Sequence, residues 1–482
     1  MKLFMWIAAG ACILLLGFIS VILIRTFTFK PLRQARESTD EINFDRDRLV
    51  STLRTLVRFK TVSYRDSSLE DDGQFSALVD SLEELYPEVS RVCELTRFDG
   101  RGLLFRWRGK GDGEPLVLMA HYDVVPVDES GWDVPAFEAV LKDGEIWGRG
   151  TLDTKVTFAS ILFAADTLIS QGFVPENDIY LAFSGSEETN GVGAERIVDY
   201  FAQRGIVPSM VLDEGGAVVE NVFPGVSERC ALVGIAEKGM INVRYTANSS
   251  GGHASAPKPH TPVGVLSAAC TRIEGKPFPF YISKPAGMLF DTLGRHSTFG
   301  YRMIFANLWC FKPVLNMICK RSGGEFNALL RTTVAFTQMS GSTAENVIPP
   351  TASMVSNIRL NTCDTVDGAV ERLRKVIGND AVEVSVINGM NPSRISRIDT
   401  VGWEKLSCAI RSTWKDSLVS PYLMVQCSDS RAYGRISDRV YRFSAMDLSA
   451  EERALIHGHN ERIRVDCLYR TAEFFLRLIS KY

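Results

Sequence analysis

This sequence lacks a large excess of charge of either sign, since it has 54 Lys and Arg residues and 57 Asp and Glu residues. Nucleic-acid-binding domains normally present a strongly basic surface, so we expect no nucleic-acid partner. The ten cysteines include no C-x-x-C pair, which argues against a zinc-ribbon or thioredoxin-type motif, and a chain of 482 residues does not need a disulfide framework. Internal repeats and low-complexity tracts are also missing. The composition is that of a globular protein with two or three domains.

Only one uninterrupted apolar run is long enough to cross a membrane. Residues 3–24 carry no charge, and Lys2 and Arg25 flank them. A bilayer core requires about 20 apolar residues, whereas the apolar part of a signal peptide has about 7 to 15. Since no A-x-A cleavage site follows the run, the sequence predicts an uncleaved N-terminal transmembrane helix over residues 1–26. A charged stalk is predicted over residues 27–47.

The orientation of this helix can be argued from its flanking charges. Four basic residues on the C-terminal side outnumber the single lysine before the run: Arg25, Lys30, Arg33 and Arg36. The positive-inside rule would then keep the rest of the chain in the cytoplasm. The alternative, an extracytoplasmic or lumenal position, depends on the resemblance described below.

Beyond residue 48 the pattern is that of an α/β catalytic domain with a mostly parallel sheet flanked by helices. Short apolar runs typical of buried strands, each followed by polar residues, occupy residues 116–120, 179–183 and 210–212. Half-apolar alternation predicts an inserted α+β domain over residues 234–390, between catalytic parts at 48–233 and 391–482. Within the insert, a second apolar stretch at 303–319 contains Lys312 and Pro313, which favours a buried or interface helix pair over a second membrane span.

Residues of the types that bind metal ions follow several of these apolar runs, and together these residues indicate a two-zinc hydrolase. The segments are PLVLMAHYDVVPV with His121 and Asp123, IWGRGTLDTK with Asp153, IYLAFSGSEETNG with Glu187 and Glu188, MVLDEGG with Asp213, and LIHGHNERI with His457. Imidazole nitrogens mixed with carboxylate oxygens suit zinc, and a shared carboxylate lets two ions lie close together. Each segment alone has a plainer interpretation, such as a helix N-cap for Asp153 or a turn for Asp213. Only the combination of all five favours the metal site.

The pair Glu187 and Glu188 is suited to two different roles. Adjacent residues that leave a strand project in different directions, so one carboxylate can bind zinc while the other stays off the metal. A carboxylate held beside the metals can act as a general base toward water. The alternative for this dipeptide alone is a pair of acids on a solvated loop.

Taken in order, these segments resemble the di-zinc metallopeptidase family that includes aminoacylases, bacterial glutamate carboxypeptidase and yeast carboxypeptidase S. The resemblance is closest to the branch of carboxypeptidase S and the N-fatty-acyl-amino-acid hydrolases. It rests on IAEKGMINVRYTA, MIFANLW, NALLRTTVAF, AENVIPP and IHGHNERI, and it covers residues from about 48 to the C-terminus.

The resemblance implies a role for each matching residue. The zinc ligands would be His121, Asp153, Glu188, Asp213 and His457, for two zinc ions per subunit. Asp153 would bridge the ions, Asp123 would support His121, and Glu187 would be the general base. His253, in GGHASAP, would reach the active site of a partner subunit in a homodimer, so the inserted domain would be both lid and dimerisation domain. Arg359 and Asn346 would bind the free carboxylate of the substrate. Without the resemblance, His253 would be a turn residue and Arg359 an exposed strand residue.

Two departures from the family pattern affect substrate contacts. Residues 426–429 read Gln-Cys-Ser-Asp where this branch usually carries Gly-Gly-Thr-Asp, and the loop at Glu187 reads SGSEETNG in place of the commoner His-Asp-Glu-Glu form. Both acids of the Glu187 loop are present. We therefore expect the chemistry to be kept and the specificity to differ.

The predicted activity is zinc-dependent cleavage of the amide bond that precedes a C-terminal amino acid, as in a carboxypeptidase. The alternative is an N-acyl-amino-acid amidohydrolase, an aminoacylase acting on fatty-acyl amino acids, and the apolar anchor favours such lipidic substrates. A remote alternative is a zinc-binding membrane scaffold without activity, which the presence of Glu187 argues against. The nearest family branch works in a lumen or outside the cell, so we expect an extracytoplasmic or lumenal catalytic domain.

Overall fold

The computed structural model describes residues 2–32 and 41–482. Part of the predicted stalk, including Arg33 and Arg36 of the charge count, lies outside the described residues. The α-helices, numbered α1 to α15 in chain order, are Lys2–Thr28, Arg46–Arg58, Asp72–Leu85, Pro87–Val92, Lys155–Ser170, Gly193–Gln203, Pro262–Gly275, Lys284–Gly294, Phe299–Ala306, Leu308–Ser322, Gly324–Leu330, Val366–Ile377, Val401–Thr413, Ala450–Arg453 and Val465–Ile479. Short 3-10 helices occupy Ser67–Leu69, Glu129–Gly131, Glu187–Thr189 and Asp429–Arg435.

The strands form one large sheet, one sheet of four strands and two small ones. Numbered β1 to β17 in chain order, they are Glu94–Phe98, Gly102–Trp107, Leu116–His121, Val140–Lys142, Glu145–Trp147, Ile179–Ser184, Met210–Val219, Cys230–Glu237, Gly239–Asn248, Gly252–His253, Thr333–Ser340, Val347–Ile348, Thr351–Leu360, Val382–Met390, Leu418–Met424, Val440–Asp447 and Arg462–Arg464.

The large sheet has eight strands in the order β1-β2-β6-β3-β7-β16-β8-β15. Its centre is parallel, from β6 through β3 and β7 to β16, while β1, β2 and the β16–β8 pair are antiparallel. The sheet is therefore mixed, and the predicted α/β class is confirmed. Because helices cover both faces, all six residues of β3 are buried. Leu116 and Leu118 join the core under α5, whereas Val117 and Met119 join the core under α6.

A second, antiparallel sheet follows the order β11-β13-β9-β14. Alternate residues of β9, including Ile241, Val243 and Tyr245, pack with α7 and α12 into a core of their own. This arrangement explains the alternating pattern in the sequence, because one face of the sheet is buried and the other is not. The role of this part as a lid or dimerisation domain, and the predicted boundaries at 234 and 390, stay predictions.

Helices α8 to α11 contribute to the core of the large sheet. Leu289 and Leu293 of α8 lie in the same core as β15, together with Phe305 of α9 and Leu315 of α10. The two helices expected across residues 303–319 are present as the end of α9 and most of α10.

Helix α1 has 27 residues and a mean hydropathy of 2.8 over its most apolar window, of which 6% is buried. Its length and composition are sufficient to cross a membrane, and the apolar part of a signal anchor has the same properties. Its N-terminal half projects from the rest of the protein, since almost every side chain there is exposed.

Candidate dinuclear metal site

The carboxyl ends of neighbouring parallel strands bring the candidate ligands together. His121 is the last residue of β3 and lies beside Ser184, the last residue of β6. Glu187 and Glu188 follow β6 in a 3-10 turn. Because parallel strands end at the same edge of a sheet, side chains that follow them face one shared space.

Asp153 lies between the two histidines. One of its carboxylate oxygens is 3.0 Å from His121 Nε2, and the other is 2.9 Å from His457 Nε2. Glu188 Oε2 is 3.2 Å from the same His457 nitrogen. Both histidines therefore point Nε2 at a shared carboxylate, as a bridging ligand between two metal ions requires.

Two observations on these side chains fit a metal centre. The ligand atoms of His121, Asp153 and Glu188 lie within 4.8 Å of one another, and those of His121, Glu187 and Glu214 form a second such group. Glu188 Oε1 is buried and accepts no hydrogen bond from the described residues. The two groups have His121 in common, and their imidazole and carboxylate donors fit divalent cations.

The electrostatics of the cluster point the same way. Burial raises the pKa of Glu214 to about 8, and it raises the pKa of Asp429 to about 7, with the charge of Asp213 adding to the latter. Hydrogen bonds that His457 donates to the carboxylates of Asp153 and Glu188 raise the pKa of His457 to about 10. The raised pKa values show that the ionised carboxylates are unfavourable together in this buried space, and divalent cations would stabilise their ionised form.

Asp123 is fully buried and contacts both His121 and the loop that carries Glu187 and Glu188. Its backbone oxygen is 3.0 Å from His121 Nδ1, and its Oδ1 is 3.4 Å from the same nitrogen. The two carboxylate oxygens also accept hydrogen bonds from the backbone N–H groups of Glu187, at 3.1 Å, and Glu188, at 3.2 Å. Asp123 thus fixes the orientation of a histidine ligand and of the loop with the two acids.

Glu187 lies in the second ligand group with His121 and Glu214. Burial raises its pKa well above the ordinary range, and the negative charge of Glu214 raises it further. Its carboxylate faces the cavity described below. A carboxyl group in these surroundings holds a proton more readily than an exposed one, as a general base that must take up a proton requires.

Asp213 and Glu214 are adjacent on β7 and face different ways. The Asp213 carboxylate accepts a hydrogen bond of 2.9 Å from Ser430 N–H, while Glu214 Oε2 is 3.5 Å from His121 Nε2. Neighbouring residues of a strand tend to project from opposite faces, which fits the different partners of these two acids. The prediction from sequence was Asp213, although the Asp-Glu dipeptide offered either acid as a ligand.

A buried ion pair joins the two loops that carry Asp153 and His457. Arg149 NH1 is 2.6 Å from Glu461 Oε2, and Arg149 NH2 also donates to the backbone oxygen of His457 at 3.3 Å. Glu461 accepts further hydrogen bonds from the N–H groups of Gly150, Leu152 and Asp153. No local sequence pattern predicts this pair, because its members are 312 positions apart.

The segment 426–429, which departs from the family pattern, lies directly beside Asp213. Ser428 Oγ donates to Glu237 Oε1 at 2.8 Å, and Arg442 Nε donates to the same oxygen at 2.5 Å. Arg442 and Glu237 are both fully buried. This network fixes the loop that holds Asp213 in place.

Arg359, expected to bind substrate, lies on the second sheet, whereas Asn346, also expected to bind substrate, and His253, expected to polarise the substrate carbonyl, lie at the small sheet of β10 and β12. Arg359, on β13, is half-buried, and its NH1 is 3.5 Å from Cys427 Sγ at the cavity. His253 pairs with Val347 between β10 and β12, and the Asn346 backbone oxygen accepts a hydrogen bond from Ala254 N–H. His253 is exposed and is not among the described residues that line the cavity.

A cavity of about 460 Å³ begins at the cluster and continues between apolar walls. Its polar end consists of Asp153, Glu187, Glu188, Glu214 and His457. The apolar walls are formed by Leu152, Ala217, Val219, Leu232, Met424, Met446, Leu448 and Ile456. Glu325, Tyr422 and Arg453 also line it, and Tyr422 OH donates to Glu325 Oε1 at 2.8 Å.

Comparison with known proteins gives the family of the chain. Peptidase family M20/M25/M40 matches residues 117–481. An N-fatty-acyl-amino acid synthase/hydrolase of Xenopus tropicalis is 33% identical over 98% of this chain and 96% of its own length. A probable carboxypeptidase S-like protein of Dictyostelium discoideum is 32% identical over 97% of this chain and 92% of its own.

Solved structures share the fold. An M20 family metallo-carboxypeptidase from Sulfolobus solfataricus superposes with a TM-score of 0.65 at 18% identity, over 90% of this chain and 99% of its own. A dinuclear metal-binding M20 peptidase of Bacillus subtilis gives a TM-score of 0.56 at 14% identity, over 90% and 98% of the two chains.

Fold and site together define a metal-dependent hydrolase that acts on amide bonds, with a dinuclear metal centre for which zinc is the typical ion. The chain belongs to peptidase family M20/M25/M40, within which its relatives include both carboxypeptidase-type and aminoacylase-type enzymes.

Proposed function

We propose that this protein releases an amino acid with a free carboxylate from an N-acyl amide whose acyl portion is long and apolar. The observation that carries the proposal is the cavity, because its apolar walls begin at the metal ligands. Leu232, Met446 and Leu448 form a wall without charge, and such a wall gains free energy by burying hydrocarbon. A peptide would leave its backbone polar groups without partners against this surface.

For the metals, we propose two sets of ligands that share Asp153. His121 and Glu214 would complete one set, and Glu188 and His457 would complete the other. Two zinc ions bound there would polarise the amide carbonyl and lower the pKa of a bound water toward about 7. This assignment replaces the predicted Asp213 by Glu214, which lies nearer to His121.

Glu187 would take the proton from the attacking water and return it to the leaving amine. It lies beside the ligands, but its own contacts are to Asp123 through the backbone, so its carboxylate is left for this transfer. Burial favours the protonated form, which makes the carboxylate a stronger base than an exposed glutamate.

Arg359 would bind the free carboxylate of the substrate, because a guanidinium group matches a carboxylate with two parallel hydrogen bonds. Its contact with Cys427 places it at the edge of the cavity. Asn346 would assist it. His253 is exposed in this chain, and we propose that it completes the site of a partner subunit in a homodimer, where it would stabilise the developing oxyanion.

We also propose that α1 anchors the protein as a single-pass span, with the catalytic domain on the extracytoplasmic or lumenal side. The length and hydropathy of α1 support the anchor, and the family resemblance supports the side. Protease protection in sealed vesicles would test the orientation. Digestion of the catalytic domain only from the cytoplasmic face would contradict it.

The test of the activity is release of free amino acid by the zinc-loaded full-length protein in detergent. Substrates would be a long-chain N-acyl amino acid, its N-acetyl counterpart and a dipeptide with the same C-terminal residue, with Glu187→Gln as the blank. The proposal expects the highest kcat/KM for the long-chain substrate.

Preference for the dipeptide would instead establish the second candidate, a carboxypeptidase. The carboxypeptidase S-like relative supports that candidate. No release above the Glu187→Gln blank from any substrate would contradict both.

A further inference from the structure

The C-terminal half of α1 packs against the junction of α9 and α10. The rings of Phe18 and Trp309 meet edge to face with their centroids 5.6 Å apart. Asn307 is fully buried, and its side-chain amide donates to Ile22 O and to Thr26 Oγ1, each at 3.2 Å. The contact between the apolar helix and the rest of the protein is therefore specific and includes polar groups.

The position of this contact along α1 determines its depth in a bilayer. The uncharged run at residues 3–24 is about 33 Å long at about 1.5 Å per residue, close to the roughly 30 Å of a hydrocarbon core. A span therefore needs nearly the whole run. Phe18 lies six residues before Ile24, so it lies about 9 Å inside the apolar end of the run. Trp309, in contact with Phe18, must lie at the same depth.

The exposed apolar side chains of α10 are suited to a position inside the apolar layer of the bilayer. Trp309 is 51% exposed, Met317 is 49% exposed and Val314 is 41% exposed, although each is a large apolar residue of a protein with well-formed cores. Basic residues flank them on the same helix: Lys312, Lys320 and Arg321. An apolar face bordered by lysine and arginine is typical of helices that lie in a membrane interface, where anionic headgroups bind the basic side chains.

The same segment leads to the cavity. Helix α11 begins two residues after α10 ends, and its Glu325 lines the cavity that starts at the metal ligands. Glu325 is itself exposed, so the cavity is open beside this helix. A hydrocarbon chain that leaves the bilayer next to α10 would meet the apolar walls without crossing bulk water.

We propose that α9 and α10 form a membrane-docking surface, which seats the catalytic domain in the bilayer interface and lets the acyl chain of the substrate enter the cavity directly from the membrane. This proposal rests on the proposed activity toward N-acyl amino acids. The occupant of the surface is the lipid bilayer, because the contact with α1 lies within the stretch of α1 that has to be in the bilayer.

The first test measures insertion and does not depend on catalysis. Full-length protein in nanodiscs of phosphatidylcholine and phosphatidylserine would be compared with its Trp309→Phe variant, in lipids brominated at a shallow acyl position. The tryptophan fluorescence that the substitution removes should be strongly quenched in bromolipid. If that component is quenched no more than in unbrominated lipid, the docking surface is excluded.

The second test measures delivery of substrate. The double variant Val314→Glu with Met317→Glu should lose about tenfold or more of its rate on a long-chain N-acyl amino acid embedded in vesicles. Its rate on the water-soluble N-acetyl substrate should be unchanged. The matched control is Val207→Glu with Val401→Glu, two exposed apolar residues outside α9 and α10, which should leave both rates unchanged.

The outcomes separate this inference from the proposed activity. A normal vesicle rate in the Val314/Met317 double variant overturns delivery from the membrane even when the N-acetyl substrate is hydrolysed. If the unmodified protein hydrolyses neither substrate, the proposed activity fails, and the quenching experiment alone decides whether the surface docks on lipid.

Discussion

Arg149 and Glu461 form a buried ion pair, with 2.6 Å between NH1 and Oε2, that ties the loop of Asp153 to the loop of His457. The pair brings together two proposed metal ligands whose loops are hundreds of positions apart in sequence. Removal of one partner leaves an uncompensated charge in the interior, which typically costs about 3 to 5 kcal/mol.

Glu461→Gln should therefore lower the urea midpoint of unfolding clearly and weaken zinc binding. Zinc content after dialysis and the urea midpoint are the measurements. The control is Arg397→Gln, which breaks the exposed pair with Asp399 and should leave both unchanged. A Glu461→Gln protein with normal zinc content and midpoint would contradict the role of the pair.

Matched variants of Asp213 and Glu214 test which of these two acids binds a metal ion. Glu214→Gln should retain about one zinc per subunit, since Glu214 lies near His121 whereas the Asp213 carboxylate is bound by Ser430. Asp213→Asn should still bind two. The metal content of both proteins decides the question, and one zinc in Asp213→Asn with two in Glu214→Gln would restore the sequence-based assignment.

Glu187→Gln should bind two zinc ions and lose at least about a hundredfold in kcat, as expected for the loss of a general base. The amide keeps the size of the side chain and the backbone hydrogen bond to Asp123. Parallel assays of zinc content and amino-acid release measure this. A rate within a few fold of the unmodified protein would mean that another group takes the proton.

The apolar walls of the cavity predict chain-length selectivity. Leu232→Trp should reduce kcat/KM for a long-chain N-acyl amino acid by about tenfold or more, because the indole would occupy space lined by Met424 and Met446. The N-acetyl substrate should be affected much less. Met446→Leu nearly conserves volume and is the control. Equal losses on both substrates would show that the acyl chain lies elsewhere.

Lys238, between β8 and β9, predicts a pH dependence of stability. Burial lowers its pKa to about 7, so between pH 7 and 8.5 the unfolded chain binds a proton that the folded protein does not. The free energy of unfolding should then rise with pH, by up to about 1.4 kcal/mol per pH unit from this residue.

The Lys238→Met variant should lack this contribution to the rise of the unfolding free energy with pH. Urea denaturation of both proteins at pH 7.0 and 8.5 measures it, and the buried cysteines contribute equally to the two proteins. An identical slope in Lys238→Met would show that Lys238 is charged in the folded state.

Much of the fold could be read from local patterns. Continuous apolar runs predicted β3 and β6 as buried strands, and alternation predicted the half-exposed strand β9, because burial on one face or on two leaves a direct mark on the sequence. The mixed direction of the large sheet could not be read, since pairing direction depends on which strands become neighbours.

By itself the sequence determined the α/β class, the apolar N-terminal helix and the family, because each depends on residue types in order along the chain. Tertiary structure alone decided that Glu214 contacts His121 while Asp213 accepts a hydrogen bond from Ser430, that Arg149 meets Glu461, and that α10 lies against α1. These relations join residues that are either adjacent on opposite faces of one strand or hundreds of positions apart. Neither the facing of a side chain nor a contact across such a distance leaves a periodic signal in a single sequence.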